Sequence, residues 1–192
     1  MAGINGIVNA TKKKLGLGTL ALHSGQSPDP STNARATPIH ATTSYVFNDT
    51  DHAANLFGLG EFGYIYNRLH NPTTDILEQR LAALDGGVAG IAFASGSAAI
   101  TASILTLAHS GQNIISSTSL YGGTWNLFTT TFKSLGIGVK FFNPDNPEEI
   151  KELADENTRC VYFESVGNPK NDVPDIKKIT DISHDLGLPT IC

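Results

Sequence analysis

Apolar residues recur with two different spacings after Pro72. Leu77, Leu81 and Leu84 are spaced for one face of a helix that begins at Pro72 and ends before the Gly86-Gly87 pair. Short apolar runs of the kind found in buried strands alternate with such helical patterns. The pattern predicts strands at 90–94, 113–117, 139–142, 160–163 and 188–192, with further helices around 100–108, 124–135, 147–156 and 174–186.

This alternation predicts the fold class and the domain organisation. Strands alternating with helices are typical of βαβ units, so we expect an α/β domain with a mainly parallel sheet and flanking helices. Residues 1–70 lack sustained periodicity and are rich in Ser, Thr, Asn, Gly and Pro. We therefore predict an irregular N-terminal arm over 1–70 that contacts a neighbouring subunit, and the first part of an α/β domain over 71–192. Because the sequence stops within a predicted strand, we expect a truncated chain or one half of a split protein with a complementary C-terminal chain.

Composition and charge narrow the classes of partner and the cellular location. The net charge is −5, which argues against nucleic acid as a partner. No apolar run is long enough for a membrane helix, and no signal-peptide core follows Lys12, Lys13 and Lys14. The two cysteines form no CxxC pair, and the six histidines show no metal-ligand spacing. We expect a cytoplasmic protein without a metal site.

Two places in the sequence could bind a phosphate. Ser95, Gly96 and Ser97 lie between a predicted strand and a predicted helix, where small residues and free N–H groups suit an anion. Such a turn is also common without a ligand. In the predicted arm, Arg68 could bind a phosphate through two hydrogen bonds, with the hydroxyl of Tyr66 beside it. The alternative is an ordinary surface arginine.

Three further candidates follow predicted strands. Ligands of parallel sheets bind at the carboxyl ends of the strands. Tyr121 comes after one strand and precedes two glycines, which makes it either a ring at a ligand site or part of a plain loop. Glu164 and Asn168 follow another strand, and Asn168 either donates a hydrogen bond to a ligand or forms an Asx turn before Pro169.

Five sequence blocks in this order resemble the fold-type I enzymes of the cystathionine synthase/lyase and homocysteine synthase group. They are residues 19–26 (TLALHSGQ), 65–68 (IYNR) with Asn71-Pro72-Thr73, 95–99 (SGSAA), 120–124 (LYGGT) and 163–165 (FES). Residues 121–128 look most like the O-acetylhomoserine sulfhydrylase branch, and Gly123 stands where methionine γ-lyases usually carry cysteine. The resemblance covers about Thr19 to Cys192.

The resemblance implies a cofactor, pyridoxal 5′-phosphate, and assigns the candidates to it. Gly96 and Ser97, after Ser95, would bind its phosphate, and Tyr66 and Arg68 would reach the phosphate of the neighbouring subunit. Tyr121 would stack on the pyridine ring near the substrate and move protons. Asn168 would hydrogen-bond the phenolic oxygen of the cofactor, and Glu164 would support the end of the strand. The resemblance further implies a homo-oligomer, a dimer of dimers, with shared active sites.

The activity implied for the complete enzyme is γ-replacement on an amino-acid substrate. O-acetylhomoserine and sulfide, or another sulfur donor, would give homocysteine and acetate in methionine biosynthesis. The aspartate and the cofactor-binding lysine of the family are expected beyond Cys192, and Lys170 lacks the family context. The alternatives are a chain without activity on its own, a cystathionine γ-synthase or γ-lyase, or a methionine γ-lyase.

Overall fold

The computed structural model describes residues 15–192, so Lys12 to Lys14 lie outside the described part of the chain. The chain divides into two compact units, Met1–Ala92 and Phe93–Cys192. Among the described residues, no helix has the length and apolar character that crossing a membrane requires.

The described part of the first unit contains three helices, α1 (Leu17–His23), α2 (Thr50–Phe57) and α3 (Pro72–Asp85), joined by irregular segments. Asn71 caps α3 by accepting a hydrogen bond from the Thr73 N–H group, and Pro72 takes the first helical position. From α3, Arg80 Nε donates to the carbonyl of Ser24, 3.0 Å away, which joins this helix to the end of α1. The helix predicted from Pro72 is confirmed, and α1 and α2 are additional short helices within the segment predicted to be irregular.

On the leucine face of α3, Leu77 and Leu81 are half exposed. One expectation for this region was wrong. Residues 90–94 form no strand, and Ile91 is 76% exposed. A strand needs a partner for its N–H and C=O groups, and none of the described residues pairs with this run. The compact units divide after Ala92, whereas the arm predicted over 1–70 concerns contacts with another subunit and stays a prediction.

A four-stranded parallel sheet organises the second unit. Its strands are β1 (Asn113–Ser117), β2 (Gly138–Phe142), β3 (Thr158–Tyr162) and β4 (Thr190–Ile191), in the order β2-β1-β3-β4. Helices α4 (Gly96–Leu107), α5 (Gly122–Asn126), α6 (Glu149–Leu153) and α7 (Ile176–Asp185) connect or flank them. The predicted parallel α/β architecture is confirmed, with element ends that differ by a few residues.

An apolar cluster covers each face of this sheet. Successive side chains of a strand point to opposite faces, so neighbouring residues of β1 enter different clusters. Ile114 packs with Ile104, Phe128 and other residues on one face. The next residue, Ile115, packs with Phe142 and others on the opposite face. All five residues of β1 are buried, including the polar Asn113, Ser116 and Ser117, as expected of a strand with a neighbour on each side and a cluster on each face.

The carboxylate of Asp155 forms hydrogen bonds with residues of three strands, β1, β2 and β3. It accepts hydrogen bonds from Lys140 Nζ at 2.6 Å, Asn113 Nδ2 at 2.9 Å and Thr158 Oγ1 at 3.1 Å. These donors, Lys140 first, hold the pKa of Asp155 well below its ordinary value of 3.8. The carboxylate therefore stays charged and fixes the register at the amino ends of the strands.

The helix predicted over 124–135 contains an irregular segment. It begins as α5 and continues as a π-helical segment over Leu127–Phe132. Phe128 and Phe132 are buried, with their rings stacked at a centroid distance of 5.4 Å. A regular helix over 124–135 would place Leu135 on the face of Phe128 and Phe132, but Leu135 is 47% exposed, because the π-helical segment rotates the residues that follow it.

Phe132→Ala is expected to destabilise the chain by about 3–5 kcal/mol, because it leaves a cavity at a fully buried position. Leu135→Ala, three residues further on at the half-exposed position, is the control and should cost less than about 1 kcal/mol. Urea unfolding followed by circular dichroism gives both free energies of unfolding. Equal losses for the two variants would contradict this assignment of the core.

Candidate functional site

Two loops meet at the carboxyl edge of the sheet. The first, residues 118–121, joins β1 to α5, and the second, residues 163–175, joins β3 to α7. Because β1 and β3 are parallel neighbours, both loops leave the sheet at the same edge. This topology brings Tyr121 from one loop near Glu164 and Asn168 from the other.

Glu164 connects the two loops directly. Its Oε2 atom accepts a hydrogen bond from the backbone N–H of Tyr121 at 3.0 Å. Its Oε1 atom accepts a hydrogen bond from the hydroxyl of Thr124 at 3.1 Å. Burial, followed by the charge of Glu164, raises the pKa of the nearby Tyr162 phenol, which therefore stays neutral. Glu164 fixes the turn that carries Tyr121 and leaves that tyrosine's side chain free for other contacts.

The ring of Tyr121 rests on Gly123. A Cβ atom on Gly123 would lie 2.4 Å from Cε1 of Tyr121, which is closer than atoms can approach. The ring is 55% exposed, so one of its sides remains accessible. The absence of a side chain at Gly123 therefore allows the ring to take this orientation.

An open cavity of about 560 Å³ lies between the two loops. Ser119, Gly122 and Trp125 line it from one loop and the helix after it, and Asn168 and Lys170 line it from the other loop. Trp125 is held by stacking on Phe141, with ring centroids 4.6 Å apart. A cavity of this size accommodates part of a small organic ligand.

The amino end of α4 offers free donors in the same unit. Ser95 caps this 12-residue helix, with its hydroxyl accepting the Ala98 N–H group at 3.2 Å. The N–H groups of Gly96 and Ser97, in the first turn, have no partner within the helix. No atom lies within 4 Å of the position of a Cβ on Gly96, so the backbone there is open to a ligand. No hydrogen bond among residues 93–192 joins these three residues to Tyr121, Glu164 or Asn168.

Tyr66 and Arg68 lie together in the first unit. Tyr66 forms an isolated antiparallel bridge with Ser44. The guanidinium carbon of Arg68 lies 5.6 Å from the centre of the Tyr66 ring, a cation–π contact. Arg68 forms no ion pair with any residue in the described range 15–192. The pair leaves a positive charge and a tyrosine hydroxyl available side by side.

The structure also groups His70, Asp75 and Glu78, with ligand atoms within 4.8 Å of one another. Both carboxylates of this group accept hydrogen bonds from within the unit. Glu78 Oε1 accepts the Ala92 N–H group at 2.7 Å, and Asp75 accepts Gln79 Nε2 at 2.8 Å. We therefore assign no metal to it.

Sequence reasoning missed two contributors to this edge, Thr124 and Ser119. Thr124 is buried and shares the carboxylate of Glu164 with Tyr121. Ser119 donates a hydrogen bond to Asp172, which lies in the other loop. Both contacts join residues at least 40 positions apart in the chain, and no local pattern marks such pairs.

Comparison with known proteins places this edge in context. The sequence model of the Cys/Met metabolism PLP-dependent enzymes matches residues 18–192. The homocysteine synthase of Schizosaccharomyces pombe is 53% identical over 171 residues, which are 89% of this chain and 40% of that protein. The O-acetyl-L-homoserine sulfhydrylase of Leptospira meyeri is 53% identical over 173 residues, which are 90% of this chain and 39% of that protein.

A solved structure is similar to this chain in its fold. It is described as an O-acetylhomoserine (thiol)-lyase from Campylobacter jejuni with N′-pyridoxyl-lysine-5′-monophosphate. The match has a TM-score of 0.89 and 40% identity, over 93% of this chain and 44% of that chain. The chain thus spans less than half of the length of each of these three proteins.

Gly123→Ala is expected to displace the Tyr121 ring, because the new methyl group would occupy the position of the ring edge. Gly122→Ala is the matched control, since a Cβ atom there meets nothing within 4 Å. NMR contacts between the Tyr121 ring protons and residue 123 should be present in the wild type and in Gly122→Ala, and absent in Gly123→Ala. Retention of these contacts in Gly123→Ala would disprove the packing of the ring on Gly123.

Proposed function

Because the chain belongs to the family of Cys/Met metabolism PLP-dependent enzymes, we propose that it forms the N-terminal part of an O-acetylhomoserine sulfhydrylase. The family resemblance and the fold expected from the five sequence blocks are thereby confirmed. The complete protein would convert O-acetylhomoserine and sulfide to homocysteine and acetate in methionine biosynthesis. The names of the relatives from Schizosaccharomyces pombe and Leptospira meyeri support this choice within the family.

The observation that carries the proposal is the arrangement of the two loops at the carboxyl edge of the sheet. Glu164 holds the turn of Tyr121 through two hydrogen bonds, and Asn168 lines the cavity between the loops. An aromatic ring, an amide and an open cavity are what a flat heteroaromatic cofactor needs.

The amino end of α4 fits the phosphate of pyridoxal phosphate. An anion at a helix amino terminus gains from the free N–H groups and from the helix dipole. Gly96 and Ser97 would donate their N–H groups to it, and the small side chains of this turn permit a close approach. Ser95 would support them as the cap of the helix.

The polar end of the cofactor ring fits the second loop. The Asn168 side chain would donate a hydrogen bond to the phenolic oxygen, and it makes no hydrogen bond to another residue of the range 15–192. The exposed side of the Tyr121 ring would stack on the pyridine ring. Glu164 would act on Tyr121 through its backbone, as a support rather than as a ligand.

The residues of this chain contribute binding and orientation to the reaction. Pyridoxal phosphate supplies an electron sink that stabilises the electron pair left when a proton leaves the substrate carbon. Tyr121, with a phenol that reaches solvent, would hold or move a proton at its Oη atom. The shape of the cavity around Trp125 would help to exclude water from the substrate.

Tyr66 and Arg68 would serve the site of a second subunit. An arginine without an ion pair in the described range, next to a tyrosine hydroxyl, is suited to a phosphate dianion. We propose that residues 1–70 act as an arm that carries this pair to the neighbouring subunit of a dimer, and that two dimers assemble into a tetramer in the cytoplasm. A complementary C-terminal chain would provide the remaining length of the relatives if the protein is split.

Pyridoxal phosphate added to the 192-residue chain is expected to bind without a covalent link, because no lysine of this chain has the family's sequence context. Quenching of Trp125, the single tryptophan, reports binding, and borohydride reduction with mass mapping reports any covalent link. Production of homocysteine from O-acetylhomoserine and sulfide should require the C-terminal part of the protein. A reduced cofactor attached to a lysine of this chain would contradict our assignment, and the absence of any binding would refute the cofactor site.

Arg68→Ala is expected to weaken the affinity of the complete, oligomeric protein for pyridoxal phosphate by about tenfold, the typical effect of losing a charge-assisted hydrogen bond. Arg35→Ala removes the same charge from an exposed position of the same unit and should leave the affinity unchanged. Titration of the apoprotein with the cofactor measures both. Equal affinities in the two variants would remove Arg68 from the phosphate site.

A further inference from the structure

We propose that Asp172 is a positioning residue that locks the loop of Asn168 against the loop of Tyr121. This inference deepens the proposed function and rests on it, since Asn168 and Tyr121 are the residues proposed to contact the cofactor ring. Asp172 neither caps α7 nor takes part in the hydrogen bonds of Glu164, and sequence analysis assigned it no role.

Asp172 accepts hydrogen bonds that close its own loop and attach this loop to the loop of Tyr121. The Ser119 hydroxyl in the first loop donates to Oδ2 of Asp172. The main-chain carbonyl of Asp172 accepts the N–H group of Gly167 at 2.8 Å, and the carbonyl of Gly167 accepts the N–H group of Asn171 at 2.8 Å. These two backbone hydrogen bonds close the segment from Gly167 to Asp172 into a turn, and Asn168 is one of the residues of that turn.

Gly167 is part of the same lock. A Cβ atom at this position would lie 2.2 Å from Oδ1 of Asp172 and 2.9 Å from Cβ of Ser119. The carboxylate thus occupies the space that a side chain on Gly167 would need. The absence of a side chain at Gly167 therefore allows the backbone just before Asn168 to pack closely against both Asp172 and Ser119.

The remaining oxygen of the carboxylate indicates why this contact is more than a stabilising one. Oδ1 of Asp172 is buried and accepts no hydrogen bond from any residue between 15 and 192. Burying an acceptor without a donor destabilises a fold, so a group of this kind calls for a reason other than stability. Holding two loops at a defined separation is such a reason.

The carboxylates of Glu164 and Asp172 therefore join the two loops through different residues. Glu164 orients the backbone of Tyr121 and the hydroxyl of Thr124. Asp172 fixes Ser119, which stands two positions before Tyr121, relative to Gly167, which stands one position before Asn168. Loss of Asp172 would leave the sheet intact and would change the distance between the two cofactor-contacting side chains.

The first test is amide hydrogen exchange of the 192-residue chain by NMR, without cofactor. Asp172→Ala should speed the exchange of the Gly167 and Asn171 amides by about tenfold and shift the signals of the Tyr121 amide and the Asn168 side chain. Asp172→Asn keeps an acceptor for the Ser119 hydroxyl and should stay within about twofold of the wild type. Unchanged exchange in the strand β3 would show that the fold is retained.

The controls separate the lock from a general loss of charge. Asp181→Ala removes an exposed carboxylate of α7, whose one ion pair within residues 15–192 is with Lys177, and should leave all these signals unchanged. Ser119→Ala should speed exchange as Asp172→Ala does, and the double variant should add nothing to either. Additive effects, or exchange in Asp172→Ala equal to the wild type, would overturn the lock.

The second test is titration with pyridoxal phosphate, followed by Trp125 fluorescence. A positioning role predicts an affinity about tenfold weaker in Asp172→Ala and close to the wild type in Asp172→Asn. Faster exchange with an unchanged affinity would overturn the positioning role. If the wild-type chain binds no pyridoxal phosphate, the proposed function of this chain fails, and the exchange data alone decide whether the lock exists.

Discussion

The burial of β1 on both faces and along both edges is the constraint on which the second unit depends. Its five residues pair with β2 and β3, and alternate side chains enter two separate apolar clusters. A strand in this position has no freedom of register, because a shift by one residue would exchange the two clusters. The loop that follows Ser117 therefore starts from a fixed point, and so does the loop that follows Tyr162.

Fixed starting points are not enough to position side chains several residues further along. Tyr121 lies four positions after the end of β1, and Asn168 six positions after the end of β3. Loops of this length would sample many conformations without further contacts. The carboxylates of Glu164 and Asp172 supply those contacts, and their donors lie in the opposite loop or, for Thr124, in the helix that follows it. The geometry of the cavity is thus set by pairs of residues rather than by the sheet alone.

Sequence patterns predict what is local and periodic in this chain. The run at 113–117 and the spacing of Ile176, Ile179 and Ile182 predict a buried strand and a helix, and both exist because tertiary contacts agree with the local pattern. The run at 90–94 is more apolar than the run at 113–117 and yet forms no strand, since pairing depends on residues that a local pattern does not contain. Tyr121, Glu164 and Asn168 were selected by their place after strands, yet Ser119 and Asp172 escaped notice because they are ordinary loop residues until the fold brings them together.

The distribution of charge at the carboxyl edge follows from the same pairing. Carboxylates near a phosphate site would oppose binding if they faced the ligand. Glu164 turns its two oxygens towards Tyr121 and Thr124, and Asp172 turns one towards Ser119 while the other is buried against Gly167. The groups that remain accessible at this edge include the phenol of Tyr121, the amide of Asn168 and the side chain of Lys170. Internal use of the acidic side chains therefore both shapes the cavity and keeps its accessible surface favourable to an anionic, aromatic ligand.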